Sequence, residues 1–245
     1  MSEPMSQPGG HVLVVGASSG IGRAVAERLR AGGTRITALA RRADRLAELE
    51  ALGCAAVAAD VTDLPAIGGV LQAAVAERGL LTGLVYCAGV QVIKPMRSLG
   101  VKEVERLYRT NLVAPTLFAA GFGSARVSTR DAVFCAVSSI AAQRPEPAIV
   151  PYAASKAGLD ALIKGLAREL APRRAVGVAP GWLDTEMTQA HARLYGPEFK
   201  DALEKRSPAG AATVESVVDA IAFLMSPQAR HVTGEILRVD GGAML

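Results

Sequence analysis

The chain has 245 residues, of which 50% are hydrophobic and 20% are charged. This balance is typical of a globular protein and excludes a disordered chain, and the length suits one α/β domain. The net charge is +4, but Lys and Arg are scattered without a long basic run, so we expect no nucleic-acid surface. The 3 Cys are too far apart for a CxxC pair, which favours free thiols in a reducing compartment.

The amino-terminal segment, residues 1–10, is predicted to be a flexible tail. It carries a Glu and two Pro where a signal peptide would need a basic end and an apolar core. No uninterrupted apolar stretch approaches the roughly 18 residues that span a bilayer. We therefore expect a cytoplasmic protein without membrane association.

Short apolar runs alternate with longer helical patterns along nearly the whole chain. The predicted strands are 11–15, 35–40, 54–59, 83–87, 132–137, 175–179 and 235–239. The predicted helices are 20–31, 43–52, 64–78, 101–123, 152–171 and 213–225. This alternation predicts a single α/β domain over 11–245, with a doubly wound parallel sheet covered by helices on both faces.

The longest irregular stretch, residues 180–212, follows the carboxyl end of a predicted strand. Ligands of doubly wound sheets bind beyond such ends, and long loops in compact domains usually have a function. The stretch contains Trp182, Tyr195 and Phe199. We predict a substrate lid over 181–208, although ordinary helix packing would explain these aromatic residues equally well.

A glycine-rich sequence, "VVGASSGIG" at 14–22, joins the first predicted strand to the first predicted helix. Glycines allow a tight turn and close backbone approach, while the helix N-terminus favours an anion. In this position the motif predicts a Rossmann-type dinucleotide site rather than a plain turn. The candidate binding residues are Gly16, Ser18, Ser19, Gly20, Ile21 and Gly22.

The second predicted strand ends at two arginines, Arg41 and Arg42. An acid at this point usually binds the ribose of NAD, whereas Arg accommodates the 2′-phosphate of NADP. The pair therefore favours NADP(H) over NAD(H), although Asp44 lies close by and such a pair is often only a solvated helix start. Asp60, at the end of the third strand, is placed to meet the adenine or to cap the next helix.

Tyr152 and Lys156 lie four residues apart in the sequence of a predicted helix, so both should project from one face. A neighbouring ammonium group favours phenolate and lowers the pKa of a Tyr hydroxyl toward the range useful for proton transfer. Ser139 follows the strand that precedes this helix, and Asn111 lies within another predicted helix.

With these motifs the chain resembles the short-chain dehydrogenase/reductase family, from about residue 10 to the C-terminus. The resemblance is carried by Gly16 to Gly22, Asp60-Val61, Ala88-Gly89, Asn111, Ser139, Tyr152 to Lys156, Pro180-Gly181, Thr185 and "VDGG" at 239–242. It implies that all of these motifs except the last contribute to a catalytic or cofactor site.

The resemblance also implies a role for each catalytic residue. Tyr152 would protonate the carbonyl oxygen while the nicotinamide delivers hydride to carbon, and Ser139 would hydrogen-bond that oxygen. Lys156 would lower the pKa of Tyr152 and bind the nicotinamide ribose, and Asn111 would position a water for proton resupply. Thr185 and the backbone after Pro180 would hold the carboxamide.

Four departures from the family pattern concern the scaffold. Cys87 stands where the family has an Asn, Val15 where a Thr is common, and Val176 where an Asn is frequent. The turn after the catalytic helix is about two residues short. The four catalytic residues themselves are all present.

A row of small residues marks another face of the catalytic helix, namely Ala154, Gly158, Ala161 and Gly165. Helical spacing of small residues permits close approach of a partner helix. Because family members commonly pair this helix between subunits, the resemblance implies a homodimer or homotetramer. Tight packing within one subunit is the alternative.

Several substrate classes stay open. Arg130 and Arg173 resemble positions where β-ketoacyl-carrier-protein reductases dock their acidic carrier, so a β-keto thioester or polyketide-like ketone is the favoured substrate. The alternatives are an NAD-dependent dehydrogenase acting on a sugar or other secondary alcohol, and a non-catalytic dinucleotide-binding protein. The three His form no ligand spacing, so no metal is predicted.

Overall fold

A computed structural model describes residues 9–189 and 205–245, and a seven-stranded parallel sheet forms the centre of this part of the chain. The strands are β1 (His11–Val15), β2 (Arg35–Ala40), β3 (Ala55–Ala58), β4 (Leu81–Tyr86), β5 (Ser128–Val137), β6 (Arg174–Pro180) and β7 (Ile236–Val239). Their spatial order is β3-β2-β1-β4-β5-β6-β7. The order reverses between β1 and β4, so a crevice for ligands is expected beyond their carboxyl ends.

Helices cover both faces of the sheet. They are α1 (Gly20–Ala31), α2 (Ala43–Ala51), α3 (Ile67–Arg78), α4 (Val101–Tyr108), α5 (Ala114–Phe122), α6 (Val150–Glu169), α7 (Glu186–Gln189) and α8 (Val214–Met225). Buried residues of α1, α2 and α8 pack on one face, and those of α3, α5 and α6 pack on the other.

Alternation within each strand divides the core between these two layers. In β1, Val12 and Val14 belong to the first layer, whereas Leu13 and Val15 belong to the second. All five residues of β1 are buried, because a parallel sheet with helices on both sides has no solvent-facing side. The predicted doubly wound α/β fold is therefore confirmed.

The structure changes the limits of several predicted elements. β4 and β5 begin at Leu81 and Ser128, two and four residues before the predicted starts. Their register shifts between Leu81 and Gly83, and the polar start of β5 absorbs this irregularity. The single helix predicted over 101–123 is divided by a π-helical turn at Arg109–Val113. Apolar patterning detects neither a polar strand start nor a one-turn change of helix type.

The predicted tail and lid lie only partly within the described residues. Gly9 donates its N–H to the carbonyl of Gly33, and Gly10 accepts from the N–H of Arg35. The predicted tail therefore does not extend to residues 9 and 10, and residues 1–8 lie outside the described part. Of the segment predicted as a lid, the structure describes 181–189 and 205–208, whereas Tyr195 and Phe199 lie outside the described residues. No described helix is both long and apolar enough to cross a membrane.

Candidate active site

The glycine-rich loop folds tightly against the end of β4. Gly16 has a φ of +87°, and a Cβ on it would lie 2.6 Å from the N atom of Ala88. A Cβ on Gly22 would lie 2.2 Å from the carbonyl oxygen of Gly16. Only glycine fits either position, so the loop turns within a few residues and α1 begins at the carboxyl edge of the sheet.

The first turn of α1 is suited to an anion. Ser19 is the N-cap residue, but its side chain makes no capping hydrogen bond. The first N–H groups of α1 are therefore not satisfied by this side chain, and the helix dipole adds positive potential there. This loop fits the diphosphate of a dinucleotide.

Two arginines extend from the end of β2 along the same crevice. Arg42 donates to the hydroxyl of Ser18 from Nε at 3.3 Å and from Nη2 at 3.1 Å. It also pairs with Glu186 of α7 at 3.0 Å. Arg41 lies 3.7 Å from the carboxylate of Asp60. The structure thus brings four of the predicted cofactor residues together in two pairs, Ser18 with Arg42 and Arg41 with Asp60.

Asp60 is held as a carboxylate at the end of β3. Burial acts to raise its pKa, but hydrogen bonds from the N–H and hydroxyl of Thr62 and the charges of Arg41 and Arg106 outweigh burial and lower the pKa. The bonds to Thr62 are 2.9 and 2.8 Å long. Asp60 therefore shapes the turn that contains Val61 and does not cap the next helix, whose 3-10 start has Asp63 as its N-cap residue. The Asp60 carboxylate is exposed at the crevice.

Ser139 lies two residues beyond the end of β5 and caps a short 3-10 turn, Ile140–Ala142. Its Oγ accepts a hydrogen bond from the N–H of Ala141 at 3.2 Å. Because that bond uses an oxygen lone pair, the hydroxyl hydrogen remains available for a ligand oxygen. The turn thereby fixes the position of a donor on the cavity wall.

Lys156 lies one helical turn after Tyr152 on α6 and is only 4% exposed. Its Nζ donates to the carbonyl oxygen of Val137 at 2.7 Å and lies 5.8 Å from the centroid of the Tyr152 ring. The contact with Val137 attaches the amine to the last residue of β5. One lysine thus joins α6 to the strand end that leads to Ser139.

Burial lowers the pKa of the Lys156 ammonium to about 8. The carboxylate of Asp160, one turn further along α6, opposes this shift because it favours the charged amine. Burial raises the pKa of Asp160, but a hydrogen bond from the Ser138 hydroxyl opposes that change. Lys156 is therefore mostly charged below pH 8 and mostly neutral above it.

Cys87 occupies the position where the family pattern has an Asn, and it lines the cavity. Burial raises the pKa of its thiol well above the ordinary range, and burial raises the pKa of Cys135 to about 12. Both residues therefore remain neutral thiols at physiological pH. The N–H of Cys87 donates to the carbonyl of Val15, so the backbone still braces β4 against β1.

Asn111 is fully buried in the π-helical turn. Its Nδ2 donates to the carbonyl of Val90 at 2.9 Å and to the hydroxyl of Ser155 at 3.1 Å, while its Oδ1 accepts from the N–H of Val90 at 2.9 Å. Ser155 in turn donates to the carbonyl of Tyr152 at 2.7 Å. The amide thus uses both of its hydrogens and its oxygen in this brace.

These elements surround a cavity of about 510 Å³. Eight of the predicted site residues line it: Ile21, Gly89, Ser139, Tyr152, Lys156, Pro180, Gly181 and Thr185. Asn111 lies behind the wall. The other predicted cofactor residues do not line this cavity and extend along the carboxyl ends of β1 to β4.

The cavity also has wall residues that the sequence reasoning missed. They are Gln91, Ile93, Arg144, Glu146, Met187, Arg206 and Met244 among others. They come from several segments of the chain, including α7, and share no spacing in the sequence. Proximity to the recognised motifs was the available signal, since Gln91 follows Ala88-Gly89 and Met244 follows "VDGG".

Arg130 and Arg173 lie away from this cavity. Arg130 is near the start of β5, and Arg173 directly precedes β6, so both are at the amino-terminal edge of the sheet. A strand of seven residues spans roughly 20 Å. Arg173 also donates to the hydroxyl and carbonyl oxygens of Ser128. The single chain therefore does not support carrier docking beside its own active site through these two residues.

Within residues 9–189 and 205–245, no group of three or more His, Cys, Asp or Glu side chains could hold a metal ion. A doubly wound sheet with this glycine loop and a cavity lined by Ser, Tyr and Lys defines a dinucleotide-dependent oxidoreductase. The chain matches a family model described as enoyl-(acyl carrier protein) reductase over residues 16–244. It belongs to the short-chain dehydrogenase/reductase family and is an NAD(P)-dependent oxidoreductase acting on alcohol or ketone groups.

Relatives in this family include enzymes with different substrates. Gluconate 5-dehydrogenase of Gluconobacter oxydans (strain 621H) is 34% identical over 99% of this chain and 98% of its own length. The 3-oxoacyl-(acyl-carrier-protein) reductase of Escherichia coli (strain K12) is 32% identical over 97% of this chain and 98% of its own. A 7α-hydroxysteroid dehydrogenase complexed with NADH and 7-oxo-glycochenodeoxycholic acid has a TM-score of 0.89 and 25% identity, covering 99% of this chain and 98% of that one.

We predict that the pKa of Lys156 is about 8 in the cofactor-free protein and falls further in Asp160→Asn. The substitution removes the carboxylate that favours the ammonium form, so the neutral amine becomes dominant at a lower pH. NMR titration of 13C-labelled lysine, with Lys156→Met assigning the signal, measures both values. Asp219→Asn, an exposed site on α8, is the matched control. A wild-type value above 10 contradicts the prediction.

Proposed function

We propose that the protein is an NADPH-dependent ketoreductase that reduces a ketone, including a β-keto thioester or polyketide-like ketone, to a secondary alcohol. The observation that carries this proposal is the shared cavity of Ser139, Tyr152 and Lys156. Their groups are a fixed hydroxyl donor, a phenol and a buried amine, which together suit protonation of a carbonyl oxygen.

The cofactor would lie along the carboxyl edge of the sheet. Gly16 to Gly22 would hold the diphosphate, Asp60-Val61 the adenine, and Ala88-Gly89 would border the ribose. Pro180, Gly181 and Thr185 would hold the carboxamide. When bound, the nicotinamide supplies the hydride that reduces the carbonyl carbon.

The chain's own groups would move the proton. Ser139 would donate its free hydroxyl hydrogen to the carbonyl oxygen and so orient the substrate, and Tyr152 would transfer its phenolic proton to the same oxygen. Lys156 would favour the resulting phenolate electrostatically, because an ammonium nearby stabilises the anion. The Lys156 ammonium group donates one of its three hydrogens to the carbonyl oxygen of Val137, so two remain for ribose hydroxyls.

The pairing of Ser18 with Arg42 supports a preference for NADP(H). The Ser18 hydroxyl of the glycine-rich loop and the Arg42 guanidinium after β2 together suit a phosphate on the adenosine ribose. Arg41 pairs with Asp60 and Arg42 pairs with Glu186, and both ion pairs are exposed. Such pairs contribute little stability, so a phosphate can replace them at small cost.

A second candidate function is NAD-dependent oxidation of a sugar or other secondary alcohol, which the name of the Gluconobacter relative favours. The same residues would act in reverse, with the phenolate taking the alcohol proton. A non-catalytic dinucleotide-binding protein is disfavoured, because the phenol, amine and hydroxyl all reach the cavity. The cysteines Cys54, Cys87 and Cys135 are free thiols, which supports a reducing, cytoplasmic location.

We also infer a homodimer or homotetramer. On the small-residue face of α6, Ala154, Ala161 and Gly165 are exposed. Gly158 packs against Leu112 within the chain, so the alternative of packing inside one subunit holds for this residue. The rest of the face is open for a second helix.

Replacement of the phenol tests the reaction. Tyr152→Phe should lower kcat for NADPH-dependent ketone reduction by about 10²- to 10⁴-fold, because the proton donor is lost. Tyr108→Phe, on α4 and away from the cavity, should retain wild-type kcat. Steady-state NADPH oxidation with a panel of ketones, β-keto thioesters and quinones gives both values. An unchanged kcat in Tyr152→Phe would refute the proposed mechanism.

Replacement of the two arginines tests the cofactor. In Arg41→Ala/Arg42→Ala, the ratio of kcat/KM for NADPH to that for NADH should fall by about 10- to 100-fold, since charge-assisted bonds to phosphate are lost. Arg45→Ala on α2 is the matched control. A wild-type enzyme that prefers NADH contradicts the NADP(H) assignment and supports the oxidative alternative.

The molar mass in solution tests the assembly. We expect two or four chains at micromolar concentration, measured by light scattering. Gly165→Arg should shift the mass toward one chain, because the side chain occupies the open face of α6. Lys164→Arg, at the neighbouring exposed position, is the control. A monomeric wild type contradicts the inference.

A further inference from the structure

We propose that the active-site cavity contains an oxyanion subsite formed by Arg144 and Arg206 with Lys205 beside them. The enzyme's carbonyl substrates would then carry a carboxylate or phosphate group remote from the reacting carbon. This inference rests on the proposed function, since it names the substrate class of that same cavity.

The three basic residues lie where the active-site cavity meets a second one. Arg144 and Arg206 line both cavities, together with Ala243. The second cavity has a volume of about 450 Å³ and is also lined by Lys205, by Pro208 and by the carboxyl-terminal residues Gly242 and Leu245. A ligand whose carbonyl lies at Tyr152 can therefore extend toward two guanidinium groups without leaving the cavity.

Among the described residues, a single acidic side chain lines this junction of basic residues. Glu146 is the acidic residue in the described lining, and it lies 3.7 Å from Arg144 with both side chains about half exposed (47% and 53%). Such a pair is weak and can be displaced by a ligand anion. Within the described residues, Lys205 and Arg206 form no ion pair. Guanidinium groups bind carboxylate and phosphate through paired hydrogen bonds.

The backbone that carries Arg206 is held by the carboxyl terminus. Asp240 accepts from the N–H groups of Gly242 and Met244, which closes a turn beneath the cavity. Ala209 donates to the carbonyl of Gly241, and a Cβ on Gly241 would lie 1.7 Å from the carbonyl oxygen of Gly210. The chain after Arg206 is thus packed tightly on a glycine turn, so the fold holds the backbone that follows Arg206 beside the cavity.

The remaining wall between the reacting groups and the arginines is mostly apolar. It includes Ile93, Ile140, Pro147, Ile149, Leu183 and Met244. Such a wall can bury the carbon chain of a substrate, while the arginines hold its anionic end by charge-assisted hydrogen bonds. The cavity therefore suits a carbonyl compound with an anionic end better than a neutral one.

The oxyanion could come from two sources, and matched substrates distinguish them. A free acid supplies a carboxylate, tested with 4-oxopentanoate against its methyl ester. A carrier arm supplies a phosphate, tested with acetoacetyl-pantetheine bearing its terminal phosphate against the same thioester without it. In each pair the reacting carbonyl is unchanged, so the ratio of the two kcat/KM values reports the subsite.

We expect the wild type to prefer the anionic member of at least one pair by tenfold or more. Arg206→Gln and Arg144→Gln should each lower that ratio by about 10-fold, and Arg206→Glu should lower it further through repulsion. Arg230→Gln, at an exposed arginine outside both cavities, should leave the ratio unchanged. The substrate pair whose ratio falls in the arginine variants identifies whether the oxyanion is a carboxylate or a phosphate.

Two results separate this inference from the proposed function. The subsite is refuted if the enzyme reduces ketones but the ratio of kcat/KM for anionic to neutral substrates is near one. It is also refuted if substitution of Arg144 or Arg206 leaves that ratio unchanged. In both cases the proposed ketoreductase activity is still supported. Calorimetric binding of 4-oxopentanoate or pantetheine phosphate that is lost in Arg206→Gln, in a protein without carbonyl reductase activity, supports the subsite and refutes the reaction.

Discussion

The contact between Lys156 and the carbonyl of Val137 is the interaction on which the rest of the site depends. It joins the first turns of α6 to the end of β5, and so brings Tyr152 and Ser139 to one cavity although thirteen residues separate them in the chain. Burying an ammonium group is unfavourable, which is why the pKa of Lys156 falls to about 8. The amine is thereby held near the point where small changes in its surroundings alter its charge.

A buried polar brace supports this arrangement from behind. Asn111 links the loop at Val90 to Ser155, and Ser155 holds the carbonyl of Tyr152. The π-helical turn places the Asn111 amide inside the fold, where each hydrogen needs a partner. The loop after β4 and the first turn of α6 are thus fixed relative to each other before any ligand binds, which suits a reaction that depends on orientation.

The two ends of the crevice have different characters. The end at the carboxyl ends of β2 and β3 is polar and exposed, with Arg41 and Arg42 in weak ion pairs. The reacting end is mostly apolar and leads to Arg144 and Arg206. Charge at both ends with an apolar centre would align a cofactor and a substrate toward the same reacting position.

The sequence by itself determined the seven strands, their alternation with helices, the glycine loop and the Tyr152–Lys156 face, because these depend on local periodicity and on backbone positions where only glycine fits. Tertiary structure decided the hydrogen-bond partners of Asn111 and the meeting of Arg144 with Arg206 in one cavity wall. Those features join residues that are distant in the chain and share no period. Their positions follow from the packing of separate segments beside the carboxyl edge of the sheet, which no local pattern encodes.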